Sequence, residues 1–239
     1  MFRIKTNHPL AITSPDFIVP YGVMHNNSHN QGFNDKISEL FQRKIKLLDI
    51  GCAGGHSVWQ FNQQGNLACG IDGSDYRKLH NMPEWDKEPN LFTCDATKPF
   101  QIEFWNKDKE DWIDTLFDCI CLWEIFEHFR EEDLPQVFNN IKTHLEPNGI
   151  VIGSICVFDQ ERQEKTKGIE WGSSYEYPDK FFHHQNMQDS AWWENKFLEH
   201  NLKWNKEKLE YFGKNVVRGP GVNCAEDCTI NFVGEFYEN

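Results

Sequence analysis

LLDIGCAGGHSVWQFNQQGNLACGID, residues 47–72, is the stretch that decides the fold. An apolar run from Ile45 to Ile50 enters the turn Gly51-Cys52-Ala53-Gly54-Gly55, a helix is expected from about Ser57 to Gln64, and a second apolar run, Leu67 to Ile71, closes on Asp72. A strand that feeds a glycine-rich turn and then a helix is a nucleotide-type site, because glycine permits both the tight turn and close approach of a ligand to the backbone. Against the dinucleotide pattern GxGxxG, this turn matches at Gly51 and carries Ala53 and His56 at the other two glycine positions. Asp72 lies 21 residues past Gly51, at a strand end where a carboxylate can accept both ribose hydroxyls.

Working outward, short apolar runs alternate with helical stretches from Ile45 to Phe158. Strands are expected at Leu91 to Cys94, Phe117 to Leu122 and Ile150 to Cys156, with a helix capped by Asp133 and running to Leu145. Pro147-Asn148-Gly149 reads as a stop. This order predicts an α/β fold: a Rossmann-like, doubly wound, mostly parallel sheet with an antiparallel C-terminal strand. One domain spans 1–239, made of a cap or lid (1–32), a cofactor-binding core (33–158), an insertion on the substrate side (159–189), and a C-terminal helix and hairpin (190–239). The core opens with an amphipathic helix, Phe33 to Arg43. In the last part a helix is expected from Ser190 to His200 with Asn201 as its left-handed cap. Two extended runs, Lys208 to Arg218 and Cys228 to Tyr237, are expected to pair through Gly219-Pro220-Gly221.

Composition narrows the function. A formal charge of −13 repels phosphate backbones and disfavours a nucleic-acid partner. The longest apolar stretch, Gly149 to Phe158, is far shorter than the ~20 residues of a membrane span, and the N-terminus does not read as a secretory signal, so a cytoplasmic location and no membrane partner are expected. The eight cysteines lack the spacing of a zinc site or a disulfide framework; Cys224 and Cys228 have no matching His/Cys pair nearby.

Two further signals follow the glycine turn. Asp95, in Cys94-Asp95-Ala96-Thr97, closes the third strand where an acid can accept an exocyclic amine, and Phe117 to Glu124 leads over the carboxyl edge of the sheet, where open α/β sheets bind ligands. With LLDIGCAGG, GIDGSD, CDA, FDCICLWEIFEH and LEPNGIVIGS in this order from Leu47 to Ser154, the chain resembles the class I S-adenosylmethionine-dependent methyltransferases. The resemblance implies S-adenosyl-L-methionine as cofactor. It sets Asp49 and the Gly51-Cys52-Ala53-Gly54 turn at the methionine part, Asp72 and Gly73 at the ribose, Asp95 and Ala96 at the adenine, and Trp123 and Glu124 on the reactive side.

Methyl transfer from a sulfonium is an in-line displacement governed by positioning, and a base is needed only to take the acceptor's proton. Glu127, His128, His183 and His184 are the candidates, His128 being equally readable as a packed or capping histidine. Glu124-x-x-Glu127-His128 with a distant His also looks like the metal site of small-RNA terminal 2′-O-methyltransferases. The same spacing recurs in metal-free family members and the charge disfavours RNA, so no metal is expected. The expected activity is O-methylation of a small molecule or glycan, with Trp171, Tyr175, Tyr177, Phe181 and Phe182 of the insertion as candidate acceptor surface. An RNA or protein methyltransferase, a nicotinamide oxidoreductase and a non-catalytic S-adenosylmethionine-binding protein remain alternatives. A second copy of the chain stays open as a partner.

Overall fold

Alternation along the strands dictates the layering. In β2 (Lys46–Ile50), Leu48 and Ile50 face one apolar cluster and Leu47 the other. A computed structural model describes residues 1–18, 20, 23, 30–158, 183–213 and 229–237. In chain order the remaining strands are β1 (Phe2–Thr6), β3 (Leu67–Asp72), β4 (Leu91–Thr93), β5 (Phe100–Asn106), β6 (Asp111–Asp114), β7 (Phe117–Trp123), β8 (Leu145–Cys156), β9 (Leu202–Trp204) and β10 (Thr229–Phe236). The helices are α1 (Pro15–Ile18), α2 (Gln31–Phe41), α3 (His56–Gln63), α4 (Tyr76–Leu79), α5 (Pro83–Lys87), α6 (Leu134–His144), α7 (Ser190–Glu199) and α8 (Lys206–Phe212).

Seven strands form the main sheet in the order β4-β3-β2-β7-β8-β10-β9. The pairs from β4 to β8 are parallel, while β10 runs antiparallel to both β8 and β9. On one face Phe33 and Ile37 of α2, Val58 and Phe61 of α3 and Phe212 of α8 pack on Leu47, Cys119, Cys121, Ile152 and Val233. On the other, α6 and α7 bury Leu134, Val137, Phe138, Ile141, Trp193 and Phe197 against Ile120, Leu122, Val151 and Phe232. These five helices thus cover the two faces of the sheet, and ligands of open α/β sheets bind at its carboxyl edge.

Four expectations need correction. The first residues of the cap are β1, which pairs with β5 in a separate antiparallel sheet, β1-β5-β6, where Lys5 and Arg3 both meet Glu103. The first half of the run expected from Lys208 to Arg218 is not extended: Lys208 to Phe212 lie in α8, because Asn205 caps the helix by accepting the Lys208 N–H at 2.9 Å and Phe212 is buried. Its expected turn, residues 219–221, lies outside the described residues. Strand β8 begins at Leu145 rather than Ile150, and Pro147-Asn148-Gly149 sits within an irregularity in its pairing with β7. Asp133 holds the N-cap position of α6 without a side-chain capping bond; its carboxylate lies 3.7 Å from Lys98 instead. Asn201 does take the left-handed conformation, with φ 61°.

Candidate functional site

The turn after β2 is a chain of left-handed residues: Gly51 at φ 78°, Ala53 at 46° and Gly55 at 74°. At Gly51 a Cβ would stand 2.9 Å from the Ile125 side chain, so glycine is required twice over, by space and by conformation. Ala53 has no such freedom, and its left-handed backbone costs about 1–2 kcal/mol. Two bonds hold it there: its N–H donates to Asp72 Oδ2 at 2.9 Å, and its carbonyl accepts the Trp85 Nε1–H at 3.0 Å. The N–H groups of Gly51 and Cys52 both donate to the Ile71 carbonyl, at 2.9 and 3.0 Å, stitching the turn to the end of β3.

Asp72 therefore has a task that spacing did not reveal. Its Oδ1 accepts the Ser74 N–H at 2.9 Å while Oδ2 braces Ala53, so the carboxylate shapes the glycine turn. Asp95 is braced in turn, since Oδ1 accepts the Thr97 N–H at 2.9 Å and its hydroxyl at 2.6 Å. Asn140 of α6 donates to the carbonyls of Ala96 and Lys98, both at 2.9 Å, which fixes the loop behind Asp95. Asp49 is buried beneath the turn, and Gly73 accepts the Ala11 N–H on its carbonyl at 2.9 Å. Trp123 is buried edge-on against Phe33, with ring centroids 5.1 Å apart. Gly54 sits inside the turn and is buried. A cavity of about 320 Å³ adjoins this region, lined by Ile4, Thr6 and Pro9 on one side and Lys78, Trp85 and Thr93 on the other.

Glu124 begins the opposite half of the site. It takes φ 51°, an uncommon backbone for glutamate, and its N–H donates to the Ser154 carbonyl at 2.9 Å. The chain then makes a 3₁₀ turn, Phe126–His128, anchored by the Phe126 ring, which meets Phe197 at 4.9 Å and Phe138 at 5.5 Å. This anchor drives Glu127 inside, where Oε1 accepts the Cys156 N–H at 3.1 Å and Oε2 takes no hydrogen bond among the described residues. Burial, reinforced by the nearby Glu124 carboxylate, pushes the Glu127 carboxyl up to about 8.

The histidines converge on a carboxylate. Asp16 places Oδ2 2.8 Å from His128 Nδ1 and Oδ1 2.8 Å from His183 Nδ1. Burial opposes the charge on His128, yet Asp16, with Glu127 and Glu124 behind it, outweighs burial and raises its pKa to about 9. Burial likewise opposes the charge on Asp16, and its two histidine partners hold it well below the usual carboxylate range. His184 stands edge-on to His128, centroids 4.8 Å apart, and edge-on to Phe158 at 5.6 Å. Glu127, His128 and His184 each bring one donor atom within 4.8 Å of the others, as do Glu124, Glu127 and Cys156. These donor types suit proton exchange and also a divalent ion, although His128 would first have to release a proton.

The structure thus gathers Glu124, Glu127, His128, His183 and His184 at one edge, and gathers the Gly51 turn, Asp72 and Asp95 beside it. Asp16 and Asn186, whose N–H donates to the Glu127 carbonyl at 3.0 Å, were missed in the sequence. Neither has a local signal: Ser14-Pro15-Asp16 reads only as a helix start. Trp171, Tyr175, Tyr177, Phe181 and Phe182 lie outside the described residues, as do Cys224 and Cys228, while Phe158, just before the insertion, and His183, in its described last part, stand at the carboxyl edge.

A family model described as a methyltransferase domain matches residues 26–206. The chain belongs to this methyltransferase family. Solved structures share the fold at low identity. The 1,6-didemethyltoxoflavin-N1-methyltransferase of Burkholderia thailandensis, with 1,6-didemethyltoxoflavin and S-adenosylhomocysteine bound, is 12% identical over 93% of this chain and 84% of its own, with a TM-score of 0.54. An S-adenosylmethionine-dependent methyltransferase from Clostridium acetobutylicum is 12% identical over 88% and 93%, also at 0.54. The magnesium protoporphyrin IX methyltransferase of Synechocystis, with S-adenosylhomocysteine bound, is 11% identical over 95% and 99%, at 0.53. No curated protein matches the chain. The strand order of this methyltransferase, with its antiparallel β10 between β8 and β9, is the class I arrangement that these solved structures share.

Proposed function

We propose that this methyltransferase transfers the methyl group of S-adenosylmethionine to an oxygen of a small molecule or glycan. Asp49 and the Gly51–Gly54 turn would hold the methionine part, Asp72 and Gly73 the ribose, and Asp95 and Ala96 the adenine, with Trp123 and Glu124 bounding the reactive side. The acceptor oxygen attacks the methyl carbon, the carbon–sulfur bond breaks, and its electron pair stays on sulfur, giving neutral S-adenosylhomocysteine. The acceptor's proton leaves to a histidine nitrogen of the group formed by His128, His183 and His184, with Glu127 beside it, and His128 can take it only after releasing its own.

The observation that carries this reading is the clustering of those side chains around Glu127 and Asp16 at the same sheet edge as the braced glycine turn. A hydroxyl acceptor needs a proton carrier there, whereas hydride transfer does not need three. Low-identity neighbours named for small-molecule acceptors support that acceptor class. The −13 charge weighs against RNA. The test is transfer of labelled methyl from S-adenosylmethionine to a panel of hydroxyl compounds and sugars, with and without EDTA. Labelling of hydroxyl acceptors that survives EDTA is expected. Labelling confined to RNA or protein, or activity lost to EDTA and restored by a divalent ion, would contradict it.

A further inference from the structure

Two of the candidate bases come from different parts of the chain, one on the loop after β7 and one in the last part of the insertion, and they meet on a carboxylate that belongs to neither. Each oxygen of Asp16 serves one imidazole at 2.8 Å. A histidine whose Nδ1–H donates to a carboxylate is fixed in tautomer and in ring orientation, so proton acceptance falls to Nε2. The accepting carboxylate also sits in a pinned segment. The Asp16 N–H donates to Ser14 Oγ at 3.2 Å, and upstream the His8 carbonyl accepts the Asp95 N–H at 2.9 Å and the Ala11 N–H donates to Gly73 at 2.9 Å. The same short run of chain therefore crosses the ribose and adenine positions and then reaches the histidines.

We propose that Asp16 is a positioning residue of this methyltransferase, which holds the Nδ1 proton and the ring orientation of His128, leaving Nε2 to release and take up a proton, and tethers His183 beside it, from a segment held on the cofactor's edge of the sheet. The inference rests on the reading of these histidines as acceptor-side proton carriers. It assigns to the N-terminal segment a part in organising the acceptor side. Groups facing His128 are Asp16, Glu124, Glu127 and His184, so a change seen on removing Asp16 alone separates its effect from theirs.

The experiment is nitrogen-15 NMR of histidine ring-labelled protein at fixed pH, with and without S-adenosylhomocysteine, alongside calorimetry of that ligand. His128→Gln and His183→Gln assign the signals. In wild type both rings should carry a protonated, slowly exchanging Nδ1. Asp16→Asn, nearly isosteric but unable to accept as a charged carboxylate, should lose both features together; Asp16→Glu should restore that of His128. Affinity for S-adenosylhomocysteine should change less than fivefold in both variants. Unchanged ring signals in Asp16→Asn, or a fivefold or greater loss of affinity, would overturn the proposal. Because the spectra are also recorded without ligand, failure of wild type to bind S-adenosylhomocysteine would contradict the methyltransferase reading separately.

Discussion

At the scale of single residues, the glycine turn shows that one carboxylate can serve two ends. Asp72 accepts from Ala53 and Ser74 and is the residue proposed for the ribose, so Asp72→Ala is expected to remove ligand contacts and the brace of a left-handed alanine together. With charge-assisted bonds worth about 1.5–3 kcal/mol each, S-adenosylhomocysteine affinity should fall at least tenfold in calorimetry of the folded variant. Gly51→Ala should cost about 1–3 kcal/mol in urea unfolding, since its Cβ meets Ile125 at 2.9 Å in a left-handed backbone. Glu127 and His128 give the pH dependence a sign. Both are raised in the folded protein, to about 8 and about 9, from ordinary values of 4.5 and 6.5. The stability tied to protonated Glu127 is complete below 4.5 and declines as pH rises through about 8; that tied to His128 is complete below 6.5 and is lost through about 9. Unfolding midpoints should therefore fall from pH 6 to pH 9, and Glu127→Gln, which keeps an oxygen for the Cys156 N–H, should flatten this decline. An equally steep decline in that variant would count against the assignment.

At the scale of elements, what could be read in advance was whatever local chemistry decides. The strand, turn and helix around Gly51 follow from apolar runs and glycine placement, and α6 follows from Leu134, Val137, Phe138 and Ile141 at helical spacing. Elements fixed by distant partners escaped. β1 has the alternation FRIKT, but only pairing with β5 makes it a strand, and Glu103 is what draws in Arg3 and Lys5. α8 was legible in principle from Asn205 as a cap and Leu209 with Phe212 on one face, yet the aromatic and β-branched residues that follow favoured an extended reading. Among the candidate site residues, the placement of the Gly51 turn, Asp72 and Asp95 was legible because it is set by strand ends, whereas that of Asp16 was not, because its partners are two histidines more than a hundred residues away. The 3₁₀ turn that carries Glu127 and His128 depends on Phe126 and its ring neighbours. Phe126→Ala should destabilise by about 3–5 kcal/mol, measured by urea unfolding, and a loss below 1 kcal/mol would show that the anchor lies elsewhere.

For the whole molecule, the sheet order puts β3 and β4 on one side of β2 and β7 and β8 on the other, so the residues proposed for the cofactor and those proposed as proton carriers meet where the order reverses. The N-terminal segment crosses both halves, bonding at Asp95 and Gly73 and then at His128 and His183. The central claim is that the first half is built for S-adenosylmethionine rather than a nicotinamide dinucleotide. It is tested most directly by calorimetric titration of the wild-type protein and Asp72→Ala with S-adenosylhomocysteine and, separately, NADH. Stoichiometric binding of S-adenosylhomocysteine by wild type, weakened at least tenfold in Asp72→Ala, with no heat from NADH, is the predicted result; binding of NADH without S-adenosylhomocysteine would contradict it.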